Sequence, residues 1–397
     1  MYNYIVVHYD EIGIKGKNRP FFENKLVDDL NIKLSNYCSK VFKRYGKVVC
    51  KLNDFKDSNT EDFEIYKSKV ISILQLTPGI SSFSFAVRCS LDLDEISLKS
   101  LELIDTKEFS SFRVNTKRSN KSFKFTSLDI NIKIGSDIVE KTSKKVNLKN
   151  ADLTLNIEIG DKDSYIYDNK FRGIGGLAIK SSGNVICSLS GGLDSPVASY
   201  MMMKRGCNVI FAHIQNDTLA NKELQQKIED LCKTLCKVQN SCKLYIIPFS
   251  EIQKEIIMYV PSEYRMIIYR RFMMKIITKI AKLEDSKLIV TGDSIGQVAS
   301  QTIDNINCIY DSSFYPVVSP VIAFNKNEII DISKKIGTYN ISIKPYPDCC
   351  SFMIAIHPKT NAQLDYVLKI EENIINSDKL IENSIVNKQI LNFKYDF

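Results

Sequence analysis

Two short stretches of the sequence bring together side chains able to do chemistry. The first, Val185–Arg205, reads V-I-C-S-L-S-G-G-L-D-S-P-V-A-S-Y-M-M-M-K-R. Val185–Leu189 is an apolar run without alternation, as in a parallel strand buried on both faces. Ser190, Gly191 and Gly192 are small enough for a tight turn that brings backbone N–H groups close to a ligand. Asp194 and Ser195 are placed to cap a helix starting at Pro196, a residue suited to a first helical position. Strand, turn and helix N-terminus together make an anion cradle. The second stretch, Y-P-D-C-C-S-F (Tyr346–Phe352), precedes H-P-K-T (His357–Thr360). The prolines predict a loop around Cys349 and Cys350, and nearby His357 and Lys359 favour a nucleophilic thiolate. On residue types alone, two incidental buried cysteines are the rival reading. The two thiols should not readily bond each other. Adjacent Cα atoms lie about 3.8 Å apart, short of the roughly 4.4–6.8 Å of a disulfide.

These groups need elements to hold them. From Val185 the chain alternates strands (Val185–Leu189, Asn208–His213, Leu244–Ile247, Lys287–Val290) with helices beginning near Pro196, Asn221 and Tyr264. That alternation predicts an open parallel α/β sheet. Ligands of such sheets sit at the carboxyl ends of the strands. There His213 and Thr291-Gly292-Asp293 each follow a strand, and Gly292 allows a close approach to a nucleotide. Gln297 and Gln301 add hydrogen-bonding groups, and a helix is expected over Asn327–Gly337.

Upstream, a strand at Tyr4–Tyr9, a helix at Phe21–Tyr37 and a hairpin of Val41–Tyr45 with Lys47–Leu52 come first. A helix at Phe63–Leu76 and a strand at Ile80–Val87 complete a β-α-β-β-α-β, ferredoxin-like order. Its Asp10–Pro20 loop carries Lys15, Lys17 and Arg19, which suit a phosphate backbone; a solvated turn would look the same. A second α+β module spans about Ser111–Tyr167. It holds a strand at Phe112–Thr116, the basic run Lys117–Phe123, and a helix from Ser127 or Asp129 with a Leu128, Ile132, Ile138, Val139 stripe. Strands at Leu153–Ile159 and Ser164–Tyr167 close it. Basic side chains beside Phe123 and Phe125 offer charge for phosphates and rings for stacking. The Gly-rich stretch Phe171–Gly183 reads as a linker.

Composition sets limits. At 397 residues the chain has room for two or three domains, and 44% hydrophobic content supports real cores. No apolar run approaches the ~20 residues of a membrane span, and the N-terminus lacks a signal-peptide layout. The expected location is the cytoplasm. The net charge is +8, of which residues 1–180 hold +6, hinting at a polyanionic partner for the N-terminal half; a Lys-rich solubilising surface is the alternative. Eleven cysteines at scattered spacings in a long chain argue for thiols. Cys232, Cys236 and Cys242 lack a second ligand pair and read as packed thiols, so no metal ligands are expected.

The hexapeptide Ser190–Ser195 resembles the S-G-G-x-D-S loop of the PP-loop ATP pyrophosphatases, which holds the pyrophosphate that leaves when ATP adenylates a substrate. The P-loop lysine is absent, and so is the G-x-G-x-x-G fingerprint. Over most of its length the chain resembles the tRNA 4-thiouridine synthetases, also called tRNA or thiamine-biosynthesis sulfurtransferases. The resemblance rests on Glu11-Ile12 and Lys15–Asn24, on Lys117-Arg118 with Lys121-Ser122-Phe123, and on Ser190–Ala198. It extends to Thr291–Thr302 (T-G-D-S-I-G-Q-V-A-S-Q-T) and to Asp348-Cys349-Cys350 with Pro358-Lys359-Thr360.

The resemblance implies a multidomain α/β and α+β chain. A ferredoxin-like module would cover 1–60, with about 90 as its outer limit, and a THUMP RNA-binding domain 61–168. A linker would span 169–183 and a PP-loop pyrophosphatase domain with an open parallel sheet 184–397. It implies that ATP activates uridine at position 8 of tRNA and that a persulfide on Cys350 replaces the C4 oxygen with sulfur. Nucleotide contacts would fall on Ser188, Leu189, Ser190, Gly191, Gly192, Ser195, His213, Ile214, Arg270, Gly292 and Gln301. Asp194 would act through Mg²⁺, with Lys326 as a functional lysine. Lys15, Lys17, Arg19, Lys117, Arg118 and Lys121 would bind tRNA. A cysteine desulfurase would supply the persulfide to a homodimer in which tRNA reaches from one subunit to the other's active site, and sulfur for thiamine thiazole synthesis is a second implied duty. Ile214 stands where the family has an aromatic residue, Asp10 where it has glycine, and Asp293 where it has glutamate. No cysteine follows Cys350, so the rhodanese domain of some members is not expected. The rival functions are a sulfur carrier for thiazole synthesis only, another PP-loop tRNA-thiolating enzyme, and an RNA-binding protein with a relic ATP site.

Overall fold

The apolar strand at the N-terminus is flanked on both sides within the first unit. The computed structural model describes residues 2–54, 60–105, 107–215, 221–345 and 355–397, so Cys349 and Cys350 lie outside the described residues. The chain forms two units, one up to Ala178 and the other over Ile179–Asp396.

The first unit begins with β1 (Tyr4–His8), α1 (Arg19–Lys33), β2 (Cys38–Arg44), β3 (Lys47–Leu52), α2 (Thr60–Gln75) and β4 (Ser82–Cys89). It continues with α3 (Leu93–Ile104), β5 (Ser111–Arg118), α4 (Ser127–Thr142), β6 (Lys145–Val146), β7 (Leu153–Ile159), β8 (Ser164–Tyr167) and β9 (Phe171–Arg172). These strands form one sheet in the order β2-β3-β1-β4-β8-β7-β5-β6, with β9 also on β4. Its first four strands have the ferredoxin-like order. Alternation along β1 sends Ile5 and Val7 into a core with Leu26, Leu30, Val70 and Leu74 from the two helices, and Tyr4 and Val6 to the opposite face. The module therefore needs α2 and β4 and runs past residue 60. β4 then pairs β8 and is shared with the second half of the sheet.

Several expected elements differ. Helix α1 stops at Lys33, because Leu34 begins a turn whose carbonyl accepts from Tyr37 and Cys38 N–H. Of the expected stripe on α4 only Ile138 is buried. Ile130, Ile134 and Ile138 are buried, whereas Leu128 is 66% and Ile132 60% exposed, and Val139 is exposed as well. A capping box of Thr126 and Asp129 sets the helix start, and the i, i+4, i+8 row packs with Ile96 and Leu103 of α3. That helix, α3, was not anticipated, although Asp92 caps it by accepting from Glu95 N–H. The expected linker is docked at its start: Phe171 pairs Phe83, and a Cβ at Gly173 would meet the Ile80 carbonyl oxygen at 2.2 Å. Leu177 and Ala178 are buried in the first unit's core.

The second unit opens with β10 (Asn184–Ser188), α5 (Asp194–Lys204), β11 (Asn208–Gln215), α6 (Asn221–Gln239), β12 (Ser241–Pro248) and α7 (Ser250–Tyr259). Then come α8 (Arg265–Leu283), β13 (Ile289–Val290), α9 (Ile303–Tyr310), β14 (Val317–Val318), α10 (Lys326–Lys335) and α11 (Tyr339–Ser342). The last elements are α12 (Leu364–Glu371), α13 (Ser377–Val386) and β15 (Gln389–Lys394). The sheet order is β14-β13-β10-β11-β12-β15. All pairings are parallel except the last, where β15 runs antiparallel to β12. The sheet is thus open and parallel with one antiparallel edge strand that was not expected. Ile210, Ala212 and Ile214 of β11 face a core shared with α7, α8, α9, α12 and α13, while α5 and α6 lie against the sheet as well. Among the described residues no helix is long and apolar enough to cross a membrane.

Candidate active site

The turn after β10 is folded on two serines. Ser190 N–H donates to Ser195 Oγ at 2.9 Å, the two Oγ atoms lie 3.1 Å apart, and Gly192 N–H donates to Ser190 Oγ at 3.3 Å. Ser195 is therefore spent on the turn rather than on capping. The helix begins at Asp194, with Leu193 at its N-cap and no side chain capping it. Its first N–H groups and its positive dipole end face the turn, which is the arrangement that binds phosphate oxygens. Behind it stands Gly292. A Cβ there would come within 2.6 Å of Ser195 N, so the glycine is required for packing strand end against helix start. Its close approach is thus to this chain's own backbone.

Asp194 reaches outward from the first turn of α5. Lys326, in the first turn of α10, holds its carboxylate at 3.1 and 3.4 Å, and Gln297 Nε2 donates to it at 3.0 Å. Three segments far apart in sequence therefore converge on one carboxylate.

A second polar cluster sits after β13. Arg270 of α8 donates to both oxygens of Asp293 at 2.7 Å. Gln301 Nε2 donates to Asp293 Oδ1 at 3.0 Å, and the Tyr310 hydroxyl to Oδ2 at 2.7 Å. Thr291 Oγ1 lies 2.7 Å from that hydroxyl. Burial alone would raise the Asp293 carboxyl, but the Arg270 charge and the hydrogen bonds from Arg270, Tyr310 and Thr291 outweigh it and hold it below its ordinary range.

Between the two clusters lies a cavity of about 510 Å³. One wall is apolar, made of Met266, Ile267, Met273 and Met274 from α8 together with Val298. The other carries Ser188, Ser190, Asp194, Ser195, Arg270, Thr291, Asp293, Ser300 and Gln301. The size is that of a small-molecule site, and the split suits a ligand with an aromatic base at one end and phosphates at the other. The orphaned Gln301 Oε1, buried and without a partner among the described residues, fits the same purpose. Pro358 and Lys359 stand on the rim. The chain that follows the cysteine pair is fixed there. Lys359 N–H donates to Glu263 O at 3.1 Å, Asn305 Nδ2 to Lys359 O at 2.8 Å, and Thr302 Oγ1 to Thr360 O at 2.6 Å.

Of the expected nucleotide residues, Ser188, Ser190, Ser195, Arg270, Gly292 and Gln301 line this cavity, and Gly191 and Gly192 belong to the turn. Leu189, His213 and Ile214 do not line it. All three are buried; His213 Nδ1 lies 2.8 Å from Leu189 O, and the Leu189 N–H donates to Ala212 O. Asp194 lines the cavity and Lys326 reaches it through that carboxylate; Cys350 lies outside the described residues. The methionine wall, Tyr310 and Asn305 were not anticipated. The methionines lie in α8 among Ile267, Ile268, Ile276 and Ile277, so nothing in the sequence sets a cavity wall apart from core. Of the nine described cysteines, eight are buried and Cys38 is half-buried. Burial pushes the Cys187 thiol, beneath the turn, up to about 12, so it is a packing group rather than a nucleophile.

In the first unit, Lys17 and Arg19 border a cleft of about 550 Å³ together with Lys43, Arg44 and Lys162. Arg19 is oriented by Glu23 at 2.8 Å and by the Tyr9 hydroxyl at 2.7 Å, and Lys15 lies over the Phe22 ring at 5.1 Å. Lys117 and Lys121 are exposed. Arg118 instead donates to the carbonyls of Phe123 and Phe125 at 3.0 and 2.6 Å, and both rings pack on the core. The rings expected to stack on bases are therefore partly occupied within the fold. A larger cavity of about 670 Å³, near Tyr2, Lys51, Tyr66 and Arg88, has balanced charge and no catalytic constellation.

Fold and site define a PP-loop domain, preceded in the chain by ferredoxin-like and THUMP domains. Residues 180–375 match the family described as Thiamine biosynthesis protein (ThiI), 90–168 the THUMP domain and 4–84 the ThiI ferredoxin-like domain. The chain is 38% identical over 376 residues to a probable tRNA sulfurtransferase of Thermoanaerobacter pseudethanolicus, covering 94% of this chain and 96% of the relative. It is 35% identical over 406 residues to one of Halothermothrix orenii, covering 100% of both. Its structure resembles that of a 4-thiouridine synthetase–RNA complex with bound ATP, with a TM-score of 0.88, 29% identity and coverage of 99% and 100%. The chain belongs to the ThiI family of tRNA sulfurtransferases.

Proposed function

We propose that this protein is an ATP-dependent enzyme that converts uridine at position 8 of tRNA to 4-thiouridine. The observation that carries the reading is the cavity between the Ser190–Ser195 turn and Asp293, with Asp194, Lys326 and Gln297 at its phosphate end. The likeness to a 4-thiouridine synthetase–RNA complex with bound ATP supports it.

In this reading ATP enters with its phosphates at the turn and the start of α5, and its base toward the α8 wall. The C4 oxygen of the uridine attacks the α-phosphorus, the bond to the β,γ-phosphates breaks, and pyrophosphate leaves. N–H groups already aimed at the phosphates need little reorganisation as charge moves onto the leaving group. Asp194 would be the side chain to hold a Mg²⁺ ion, which would neutralise phosphate charge, with Lys326 balancing the carboxylate. The terminal sulfur of a Cys350 persulfide then attacks C4 and AMP leaves. A second thiol attacks the Cys350 sulfur, releasing thiolated tRNA and leaving a disulfide to be reduced before the next cycle. A thiolate-derived persulfide is a strong nucleophile near neutral pH. The Lys17–Arg19 cleft and the exposed Lys117 and Lys121 supply cations for the RNA backbone. A cysteine desulfurase as sulfur donor, a homodimer, a cytoplasmic setting and a second duty in thiazole synthesis belong to the same proposal.

The test is mass spectrometry of nucleosides from unmodified tRNA after incubation with ATP, cysteine and a desulfurase. Wild type should yield 4-thiouridine, and Asp194→Ala and Cys350→Ala should not. If Asp194→Ala keeps its sulfur-transfer function in a thiazole-forming assay while wild type thiolates no tRNA, the sulfur-carrier reading replaces this one.

A further inference from the structure

The cluster around Asp293 contains more order than packing requires. Its carboxylate accepts four hydrogen bonds, from Arg270 on both oxygens, from Gln301 on Oδ1 and from Tyr310 on Oδ2. The side chain is 4% exposed yet borders the cavity. An ionised carboxylate can only accept, so the edge of the Gln301 amide turned toward it must be the NH₂ group, whichever way the amide is drawn. The carbonyl oxygen of Gln301 is then the free edge. It is buried, has no partner among the described residues, and belongs to a side chain lining the cavity. A buried acceptor left unpaired is costly, and a donor on a bound ligand would relieve it.

We propose that Asp293 is a positioning residue that fixes the Gln301 amide so that its oxygen accepts a hydrogen bond from an N–H or O–H donor of the bound ligand. The same carboxylate holds Arg270 against the cavity wall. Gln301 thereby discriminates by donor: it favours a group that donates at that point and disfavours one presenting a lone pair. Both substrates of the reaction carry such donors, the amino group or ribose hydroxyls of ATP and the N3–H of uridine. The inference rests on the nucleotide reading of the cavity.

The experiment uses the full chain and compares wild type with Asp293→Asn, Asp293→Glu and Gln301→Met. It measures the Kd for ATP without RNA, the KM for tRNA at saturating ATP, kcat and thermal unfolding. Asp293→Asn can turn an amide hydrogen toward Gln301 and reverse it. Asp293→Asn and Gln301→Met are each expected to weaken one ligand by about 10- to 100-fold, with kcat within about threefold. Asp293→Glu, which keeps the acceptor, should restore binding to within about threefold of wild type. A loss confined to ATP assigns the donor to the nucleotide, and a loss confined to tRNA assigns it to the target nucleoside; either sustains the proposal. If Asp293→Asn fails to fold, Gln301→Met decides, because it leaves the Arg270–Asp293–Tyr310 bonds in place. Wild-type Kd and KM in folded Gln301→Met overturn it. Failure of wild type to bind ATP at all would instead overturn the nucleotide reading.

Discussion

The cavity of the second unit and the basic cleft of the first both offer positive charge to an anion, yet they are built in opposite ways. In the cavity almost every polar group is held by another. Ser195 holds the turn, Lys326 and Gln297 hold Asp194, and Asp293 holds Arg270 and Gln301. In the cleft Lys17, Lys43 and Lys162 are exposed, and although Arg19 is held by Glu23 and Tyr9, Arg44 by Asp163 and Lys43 by Asn24, these bonds lie at the rim of an open basic surface. The first arrangement can distinguish atoms, because fixed donors and acceptors penalise a mismatch. The second supplies charge that follows a phosphate chain and fades with salt. Chemistry and grip have been given to different kinds of surface.

That contrast can be broken most forcefully at Asp194. Asp194→Ala should lower thiolation about 10²–10³-fold, measured as 4-thiouridine formed per minute, while leaving tRNA affinity within about twofold. Loss of tRNA binding of similar size would show that the two surfaces are not separate. A second prediction concerns Glu158, a buried group of the first unit ordered as tightly as the cavity. It takes hydrogen bonds from His8 at 2.8 Å, from the Tyr167 hydroxyl at 2.7 Å and from Lys47. Burial would raise its carboxyl, but His8 and Lys47 win and depress it strongly. A depressed carboxyl gives stability that is present above the ordinary carboxylate range and is lost as pH falls through the folded-state value. Glu158→Gln should therefore cost about 3 kcal/mol at pH 7 and flatten the acid limb of a urea-unfolding series. An unchanged acid limb would remove Glu158 from the account.

In the cleft, Lys43→Glu with Lys162→Glu should reduce tRNA affinity about tenfold at low salt and lessen its salt slope, with Kd for ATP unchanged. The smallest effect is expected at Ile132. Ile132→Ala should change stability by less than about 0.5 kcal/mol, whereas the same cut at buried Ile134 should cost about 2–4 kcal/mol. Equal costs in thermal melts would contradict the helix orientation.

What the sequence disclosed follows from how local each signal is. The Ser190–Ser195 turn was legible because strand, glycines and helix start are contiguous, and the alternating strands of both units were legible for the same reason. The α4 stripe of Leu128, Ile132, Ile138 and Val139 held only at Ile138, because Leu128, Ile132 and Val139 satisfy a helical spacing as well as the buried Ile130 and Ile134 do. The partners that decide between the two rows, the sheet and α3, lie outside the helix, and α3 is more than 20 residues upstream. The Asp194–Lys326 pair spans 132 residues and the Arg270–Asp293 pair 23. Spacing gives no notice of such meetings; the resemblance named those residues without saying that they touch. Gly292 was singled out for its close approach, but its packing against Ser195 was not legible, since nothing local shows that α5 starts against it.

The antiparallel strand β15 has a consequence for how the protein is made. Its partner β12 is synthesised about 150 residues earlier, with Ser241 opposite Lys394. On a translating ribosome the catalytic sheet therefore waits with one flank open while α7 to α13 emerge, and a bare strand flank recruits other chains. Stalled or prematurely ended translation products of this unit should be aggregation-prone clients of chaperones, even when every residue of the cavity has already been made.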